Sequence, residues 1–108
     1  MVVPAAVLAE GVLTGHPGHD FHVRRLLELV HVTIVDEELG YAAGSLRHGA
    51  ISDGGARPAP SGVDAIVAAL ANACGAGDDV VVVTSDGEDI EMLVSFGDHA
   101  ARVSVTVV

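Results

Sequence analysis

The chain has 108 residues, of which half are hydrophobic, so it can form one domain with a buried core. Fifteen acidic residues face five arginines and no lysine, and the formal net charge of −10 repels nucleic acid at long range. A nucleic-acid substrate would therefore require an added cation, most simply a divalent metal. A single cysteine excludes an internal disulfide and favours the reducing cytoplasm, and no apolar run is long enough for a membrane span.

The first half of the chain alternates strands and helices. Met1–Val3 is predicted to be the end of a strand, and Pro4–Leu13 a helix, because proline suits a first helical turn. The segment TGHPGHD, residues 14–20, contains glycine and proline and is predicted to be a turn, followed by a helix with apolar residues at helical spacing. A short strand, HVTIV (31–35), precedes a helix that begins at the acidic run 36–38. The apolar positions of that helix are Leu39, Ala42, Ala43 and Leu46.

The second half continues the alternation. Residues 48–60 are rich in glycine and proline and are predicted to be a loop, after which Ser61 is a good N-cap for a helix. Val80–Val83 is a strand without alternation, as expected when both of its faces are covered. A short helix over Asp86–Phe96 and a last strand, residues 102–108, follow. The buried face of the helix after Ser61 is predicted at Val63, Ile66, Val67, Leu70 and Cys74. This order predicts a parallel sheet with helices on both faces, where ligands bind beyond the carboxyl ends of the strands.

Four acidic residues lie at the ends of elements, where they can converge. Glu10 is on the first helix, Asp64 is in the first turn of the helix after Ser61, and Asp86 and Asp89 follow the valine strand. Crowded carboxylates repel one another unless a cation joins them. Oxygen ligands on a rigid frame suit Mg²⁺ or Mn²⁺, which can activate a water and stabilise charge on a phosphodiester. The pattern therefore predicts a magnesium or manganese site.

Each of these acids also has a plain structural interpretation. Ser85 and Glu88 have the spacing of a capping box at a helix N-terminus, and Ser61 and Asp64 have the same spacing. Glu10 is alternatively a plain surface residue. Solvated surface is also the interpretation for Glu91 and Asp36–Glu38.

Three segments, VVPAAVLAE, SGVDAIVAALA and VVVTSDGEDI, occur in this order and together resemble a PIN domain, most of all the VapC-type toxins of bacterial toxin–antitoxin pairs. The resemblance runs over essentially the whole chain. It implies a three-layer α/β/α fold with a mostly parallel sheet, here as a single domain over residues 1–108 that is incomplete at its N-terminus. Members of this family are Mg²⁺- or Mn²⁺-dependent endoribonucleases that a small antitoxin protein neutralises. The resemblance thus implies RNA as substrate and an antitoxin as partner, and a homodimer is expected as well.

The resemblance also assigns roles to individual residues. By position, Glu10 matches the family's helix glutamate, Asp64 its helix aspartate, and Asp86 the aspartate after the fourth strand. Asp89 matches the acid that follows a few residues later. Glu10, Asp64 and Asp86 would hold the metal, Asp89 would orient the metal or a water, and metal-bound hydroxide would attack the RNA phosphate in line. The hydroxyl that lines the family's site corresponds to Thr84 or Ser85.

The sequence departs from the family pattern at its start. Members begin with a strand that carries an aspartate in a D-[TS]-[SG] setting, and that strand is central in the sheet order 3-2-1-4-5. Without it, Met1–Val3 and Val80–Val83 would face a gap, and unpaired buried polar groups cost about 1–3 kcal/mol each. Either the sheet closes, another chain fills the gap, or translation starts further upstream. The amino-acid composition suggests the last option, because it resembles that of a GC-rich genome, in which GTG can serve as a start codon. Weak or absent activity is expected of the sequence as given.

Two other classes of function stay open. The chain is alternatively a non-catalytic PIN remnant that acts as a binding or oligomerisation module, or an unrelated small α/β regulatory domain with acids at its helix caps. HPGHDFH spaces His16, His19 and His22 in a way that would suit zinc, against which ordinary loop histidines are the alternative. Cys74 is expected to be a small buried residue, and GAGD, residues 75–78, a turn before a strand.

Overall fold

The computed structural model describes residues 2–9, 15–28 and 30–108. The chain divides into two compact units, Met1–Asp36 and Glu37–Val108. The described residues form four α-helices and two small parallel sheets of two strands each, which confirms the α/β class in this form. A single domain over residues 1–108 stays a prediction. Within the described part, no helix combines the length and the apolar character needed to cross a membrane.

The first unit contains one parallel strand pair and one helix. Strand β1, Val2–Pro4, pairs with β2, His31–Thr33, and helix α1, Pro17–Leu27, lies between them in the chain. Pro4 is the last residue of β1 and not the first turn of the predicted helix, since a proline without an N–H fits the end of a strand as well. Ala5–Ala9 form a 3-10 helix, and residues 10–13 of the predicted helix lie outside the described residues.

Helix α1 begins inside the segment that was predicted to be a turn. Pro17 occupies its first position, where the missing N–H costs nothing. Just before it, the Nδ1 atom of His16 accepts a hydrogen bond from the backbone N–H of His19 at 3.4 Å. The carboxylate of Asp20 accepts one from the N–H of Gly15 at 2.8 Å, and Gly15 has a φ of 84°. The His16 side chain thus supplies an acceptor for one N–H of the first turn, and the Asp20 side chain holds the residue before it.

The second unit places three helices against a parallel strand pair. Its elements are α2, Glu37–Ser52, α3, Gly62–Cys74, β3, Val80–Thr84, α4, Gly87–Ser95, and β4, Val103–Val107. β3 and β4 pair in parallel along all five residues of each, and α4 makes the crossover between them. The three helices pack on one another, α3 also packs on β3, and α4 on β4.

The core of this unit is rich in alanine. Ala50 is fully buried near the end of α2, which explains why this helix continues into residues predicted to be a loop. On α3, alanines lie deeper than the larger residues of the predicted buried face, which are only partly covered, because small side chains let helices approach one another closely. The buried hydrophobic residues of the described chain are Ala43, Leu46, Ala50, Ala65, Ala68, Ala69, Ala71, Val82, Ile90, Leu93 and Val94.

β3 differs from the prediction of a strand that is covered on both faces. Val82 is buried, but Val81 and Val83 on the opposite face are 62% and 64% exposed. The three helices of the unit leave this outer face uncovered. A run of four valines satisfies both a fully buried strand and a half-covered one, so the sequence pattern could not distinguish them.

Candidate metal centre

Asp64 is placed by the N-cap of α3. Ser61 has an extended backbone, with φ −69° and ψ 158°, and its Oγ accepts a hydrogen bond from the N–H of Asp64 at 3.0 Å. This is the geometry expected of an N-cap serine, and it confirms the predicted start of the helix. Asp64 is half-buried in the first turn. The cap fixes the backbone from which its carboxylate projects.

A tight turn between β3 and α4 places the second acid. Thr84 ends β3, and its Oγ1 accepts a hydrogen bond from the N–H of Asp86 at 3.0 Å. Gly87 then begins α4 and is buried against the end of β4, where a Cβ atom would collide with Cγ2 of Val107. A side chain at residue 87 would force the Val107 side chain to move.

Three carboxylates meet at these two helix N-termini. One carboxylate oxygen each of Asp64, Asp86 and Asp89 can be chosen so that all three lie within 4.8 Å of one another. Asp64 and Asp89 are half-buried in the first turns of α3 and α4, and Asp86 is exposed just before α4. The positive ends of both helices favour negative charge here. The structure thus brings together three of the four acids that the sequence singled out.

The pKa of Asp89 reflects this crowding. Burial raises it first, and the charge of Asp86, a hydrogen bond with the Asp86 side chain and the charge of Glu88 raise it further. A raised carboxyl pKa means that the ionised form is disfavoured when no cation is present. A bound cation would reverse that balance, because it stabilises the ionised carboxylates.

Helix capping does not account for Asp86. The N-cap of α4 is Asp86 and not Ser85, so the Ser85–Glu88 capping box is not formed, and the Asp86 side chain makes no capping hydrogen bond. Its side chain interacts with that of Asp89 instead. At α3, the oxygen of Ser61 accepts a hydrogen bond from the backbone N–H of Asp64, and the Asp64 carboxylate lies in the cluster.

The donor set fits a hard divalent cation. With Mg–O distances of about 2.1 Å, adjacent ligands lie about 3.0 Å apart and opposite ligands about 4.2 Å apart. The chosen oxygens of the three aspartates lie within 4.8 Å of one another, which is close to these separations. All three donors are carboxylates, which suits Mg²⁺ or Mn²⁺ better than zinc.

Three further residues were predicted for this site. Glu10 falls outside the described residues. Thr84 contacts the backbone of Asp86, and Ser85 is exposed beside it. Around His16, His19 and His22, the described chain forms no group of three ligands that could hold a metal, so the zinc interpretation gains no support there.

Sequence reasoning missed Gly87, which is the glycine that lets α4 begin against β4. The signal was the Asp-Gly dipeptide directly after a strand, which is typical of a tight turn.

Glu91 and Asp36–Glu38 are exposed, as expected of acids on a solvated surface.

Comparisons of the chain with models of protein families, with curated proteins and with solved structures found no match.

Proposed function

We propose that the chain is a PIN-type endoribonuclease of the VapC class that uses Mg²⁺ or Mn²⁺ to hydrolyse RNA phosphodiester bonds. The observation that carries this proposal is the convergence of Asp64, Asp86 and Asp89 at the N-termini of α3 and α4. These aspartates belong to the two motifs, SGVDAIVAALA and VVVTSDGEDI, on which the resemblance to PIN domains rests. A structural role at the helix caps explains Asp86 poorly, because its side chain makes no capping hydrogen bond.

The strand pairing adds support for the PIN-like fold. In the family order 3-2-1-4-5, the second and third strands form one parallel pair, and the fourth and fifth form another. The chain has two such pairs, β1 with β2 and β3 with β4, and each is joined by a crossover that includes a helix. A three-layer α/β/α arrangement of one sheet is part of the proposal.

The residues of the site have distinct tasks in this proposal. A bound Mg²⁺ or Mn²⁺ would supply Lewis acidity, lowering the pKa of a water and neutralising charge on the phosphate. Asp64 and Asp86 hold the cation, and Glu10 is proposed as a further ligand. Asp89, whose carboxylate lies beside those of Asp64 and Asp86, would orient the cation or a water. Thr84 holds the backbone of Asp86 in place.

The charge of the chain agrees with a cation-dependent nuclease. At a net charge of −10, the protein repels RNA, and a divalent ion among three carboxylates reduces the repulsion where the phosphate must approach. The cognate antitoxin, the homodimer and the cytoplasmic location remain parts of the proposal.

RNA cleavage tests the proposal directly. Because weak activity is expected of the sequence as given, the chain is incubated in excess over a fluorescent single-stranded RNA in Mn²⁺. Cleavage above the rate without protein should be lost in Asp86→Asn, because the loss of a ligand weakens both cation binding and positioning. Glu91→Gln is the matched control, since Glu91 is an exposed acid of the same helix outside the cluster. Equal cleavage by wild type and Asp86→Asn would contradict the proposal.

A non-catalytic binding module is the second candidate, and one observation favours it. Val81 and Val83 of β3 are more than half exposed, which is typical of a surface that a partner covers. A module of this kind would bind its partner without cleaving RNA and without any response to Mn²⁺, so Mn²⁺ binding and its loss in Asp86→Asn separate the two functions.

A further inference from the structure

Arg47 connects α2 to the N-terminal end of α3. It is an exposed residue of α2, and its Nε–H donates a hydrogen bond to the backbone carbonyl of Pro60 at 2.8 Å. The two residues are 13 positions apart in the sequence, and the loop after α2 lies between them. The contact therefore joins a side chain of one helix to the backbone just before the other.

The carbonyl that Arg47 holds belongs to the segment that leads into α3. Residues 57–60, Arg-Pro-Ala-Pro, contain two prolines, which have no backbone N–H with which to form hydrogen bonds. Pro60 is fully buried, whereas residues 57–59 are exposed. The guanidinium of Arg47 thus supplies a fixed point for a segment that can form few backbone hydrogen bonds of its own.

The N-cap of α3 follows Pro60 directly. The carbonyl of Pro60 and the backbone nitrogen of Ser61 belong to one planar peptide unit, so the bond from Arg47 also fixes the orientation in which the chain enters Ser61. The Oγ atom of Ser61 in turn accepts the hydrogen bond from the N–H of Asp64 at 3.0 Å. Arg47 is therefore linked to Asp64 by one peptide unit and one serine side chain.

We propose that Arg47 is a positioning residue of the cation site. Its hydrogen bond to Pro60 fixes the peptide unit before Ser61, and thereby the cap from which Asp64 projects toward the other two aspartates. The inference rests on the proposed function, since it assigns Arg47 to the same cation site. Arg47 acts through the backbone, and its role requires no contact with the cation or with RNA.

Positioning and long-range electrostatics predict opposite effects of removing Arg47. Loss of its positive charge makes the formal net charge of −10 more negative by one, and Coulomb attraction alone would then strengthen cation binding. Loss of the hydrogen bond would instead loosen the backbone of Asp64 and weaken cation binding. A fall in cation affinity therefore identifies positioning as the dominant effect.

Two substitutions of equal length and charge isolate the hydrogen bond. Arg47→Gln and Arg47→Met both remove the positive charge, but glutamine has an amide N–H donor at the side-chain position of Nε, where methionine has a methyl group. Arg102→Met is the control, because Nε of Arg102 donates a hydrogen bond to Asp79 at 3.2 Å, before β3 and away from the cluster that follows it. Calorimetry measures Mn²⁺ affinity at a temperature at which circular dichroism shows each variant to be folded. NMR measures exchange of the Asp64 amide in EDTA.

Arg47→Met should weaken Mn²⁺ binding at least about threefold and should speed exchange of the Asp64 amide. Arg47→Gln should keep the Mn²⁺ affinity within about twofold of the wild type, because a neutral donor can form the same bond. Arg102→Met should not weaken Mn²⁺ binding. In a Ser61→Ala background, Arg47→Met should have little further effect on the affinity, because the cap through which Arg47 acts is already lost.

Wild-type Mn²⁺ affinity or unchanged Asp64 amide exchange in Arg47→Met would overturn the inference. An equal loss of affinity in Arg47→Met and Arg47→Gln would also overturn it, because the donor would then not matter. Absence of Mn²⁺ binding by the wild type would instead refute the proposed cation site itself, and the role of Arg47 with it. If Arg47→Met does not fold, Arg47→Leu takes its place with the same expected result.

Discussion

Asp86 occupies the position where an aspartate ordinarily caps a helix, yet its side chain interacts with that of Asp89. Two carboxyl groups share a hydrogen bond only when one of them holds a proton, or they share a cation. Without a metal, this crowding and burial raise the pKa of Asp89, so that its protonated form is favoured. At the scale of single residues, the same geometry that destabilises the metal-free chain prepares the site for a divalent ion.

Removing the charge of Asp89 should therefore stabilise the metal-free protein. Because the folded-state pKa lies above the unfolded one, protonation of Asp89 favours folding, and this contribution is lost as the pH rises through the folded-state pKa. Asp89→Asn should raise the Tm at neutral pH in EDTA, and the difference should vanish in acid, below the pKa of an unfolded aspartate. The Tm gain that Mn²⁺ gives the wild type should shrink in this variant. A Tm below that of the wild type in EDTA at neutral pH would refute this account of Asp89.

A second prediction at the residue scale concerns Gly87. Gly87→Ala places a Cβ atom against Cγ2 of Val107 and should lower the free energy of unfolding by about 1–3 kcal/mol. Gly44→Ala is the matched control, because Gly44 lies exposed within α2 with open space around its Cβ position. The control should gain about 0.5–1 kcal/mol from better helix propensity. Urea unfolding followed by circular dichroism measures both, and a gain of stability in Gly87→Ala would contradict the packing described here.

At the scale of elements, local signals succeeded where a side chain completes a backbone requirement. The Ser61 N-cap was predictable because a serine oxygen at that position meets an unpaired N–H, and the structure shows this bond. The start of α1 was not predictable from glycine and proline alone, since His16 and Asp20 supply hydrogen bonds that convert a turn pattern into a first helical turn. The exposure of Val81 and Val83 depends on which elements cover β3, and the strand's own sequence does not contain that information.

The candidate site was also predictable in part from the sequence. The positions of Asp64 and Asp86 at element ends, together with the resemblance to PIN domains, indicated a shared site. Asp89 was predicted to lie with them, whereas the absence of a capping bond at Asp86 and the distance of Asp64 from the two acids of α4 depend on how α3 packs on α4.

The N-cap of α3 should couple stability to the metal site. Ser61→Ala should cost about 1 kcal/mol of unfolding free energy and should weaken Mn²⁺ binding, because the backbone of Asp64 loses its hydrogen-bond acceptor. Ser45→Ala, at an exposed position within α2, is the control and should change neither quantity by more than about 0.5 kcal/mol. Unchanged stability in Ser61→Ala would show that the cap does not support this end of α3.

At the scale of the molecule, negative charge is concentrated in the second unit. Residues 37–108 contain eleven acidic residues against three arginines, a formal charge of −8. Such self-repulsion opposes the compact state and is reduced by salt. Binding of a cation at a specific site would stabilise the fold beyond this general screening. The two effects can be separated by comparing Mn²⁺ with NaCl at the same ionic strength.

Thermal unfolding should reveal that separation. Millimolar Mn²⁺ should raise the Tm more than NaCl of equal ionic strength, since binding to the folded state alone stabilises it by mass action. In Asp64→Asn the two salts should act alike, whereas Glu91→Gln should retain the excess effect of Mn²⁺. An equal rise of the wild-type Tm in Mn²⁺ and in NaCl would show that Mn²⁺ acts by general screening and not by binding at a specific site.

The most direct test of the central claim, that Asp64, Asp86 and Asp89 form one cation site, is Mn²⁺ titration by calorimetry. Wild type should bind Mn²⁺ and release protons on binding at a pH near the Asp89 pKa, because the cation favours the ionised carboxylate. Asp86→Asn should weaken binding at least about tenfold, and Glu91→Gln should bind as the wild type does. Absence of Mn²⁺ binding by the wild type, or equal binding by Asp86→Asn, would contradict the claim and leave the three carboxylates as neighbours without a ligand.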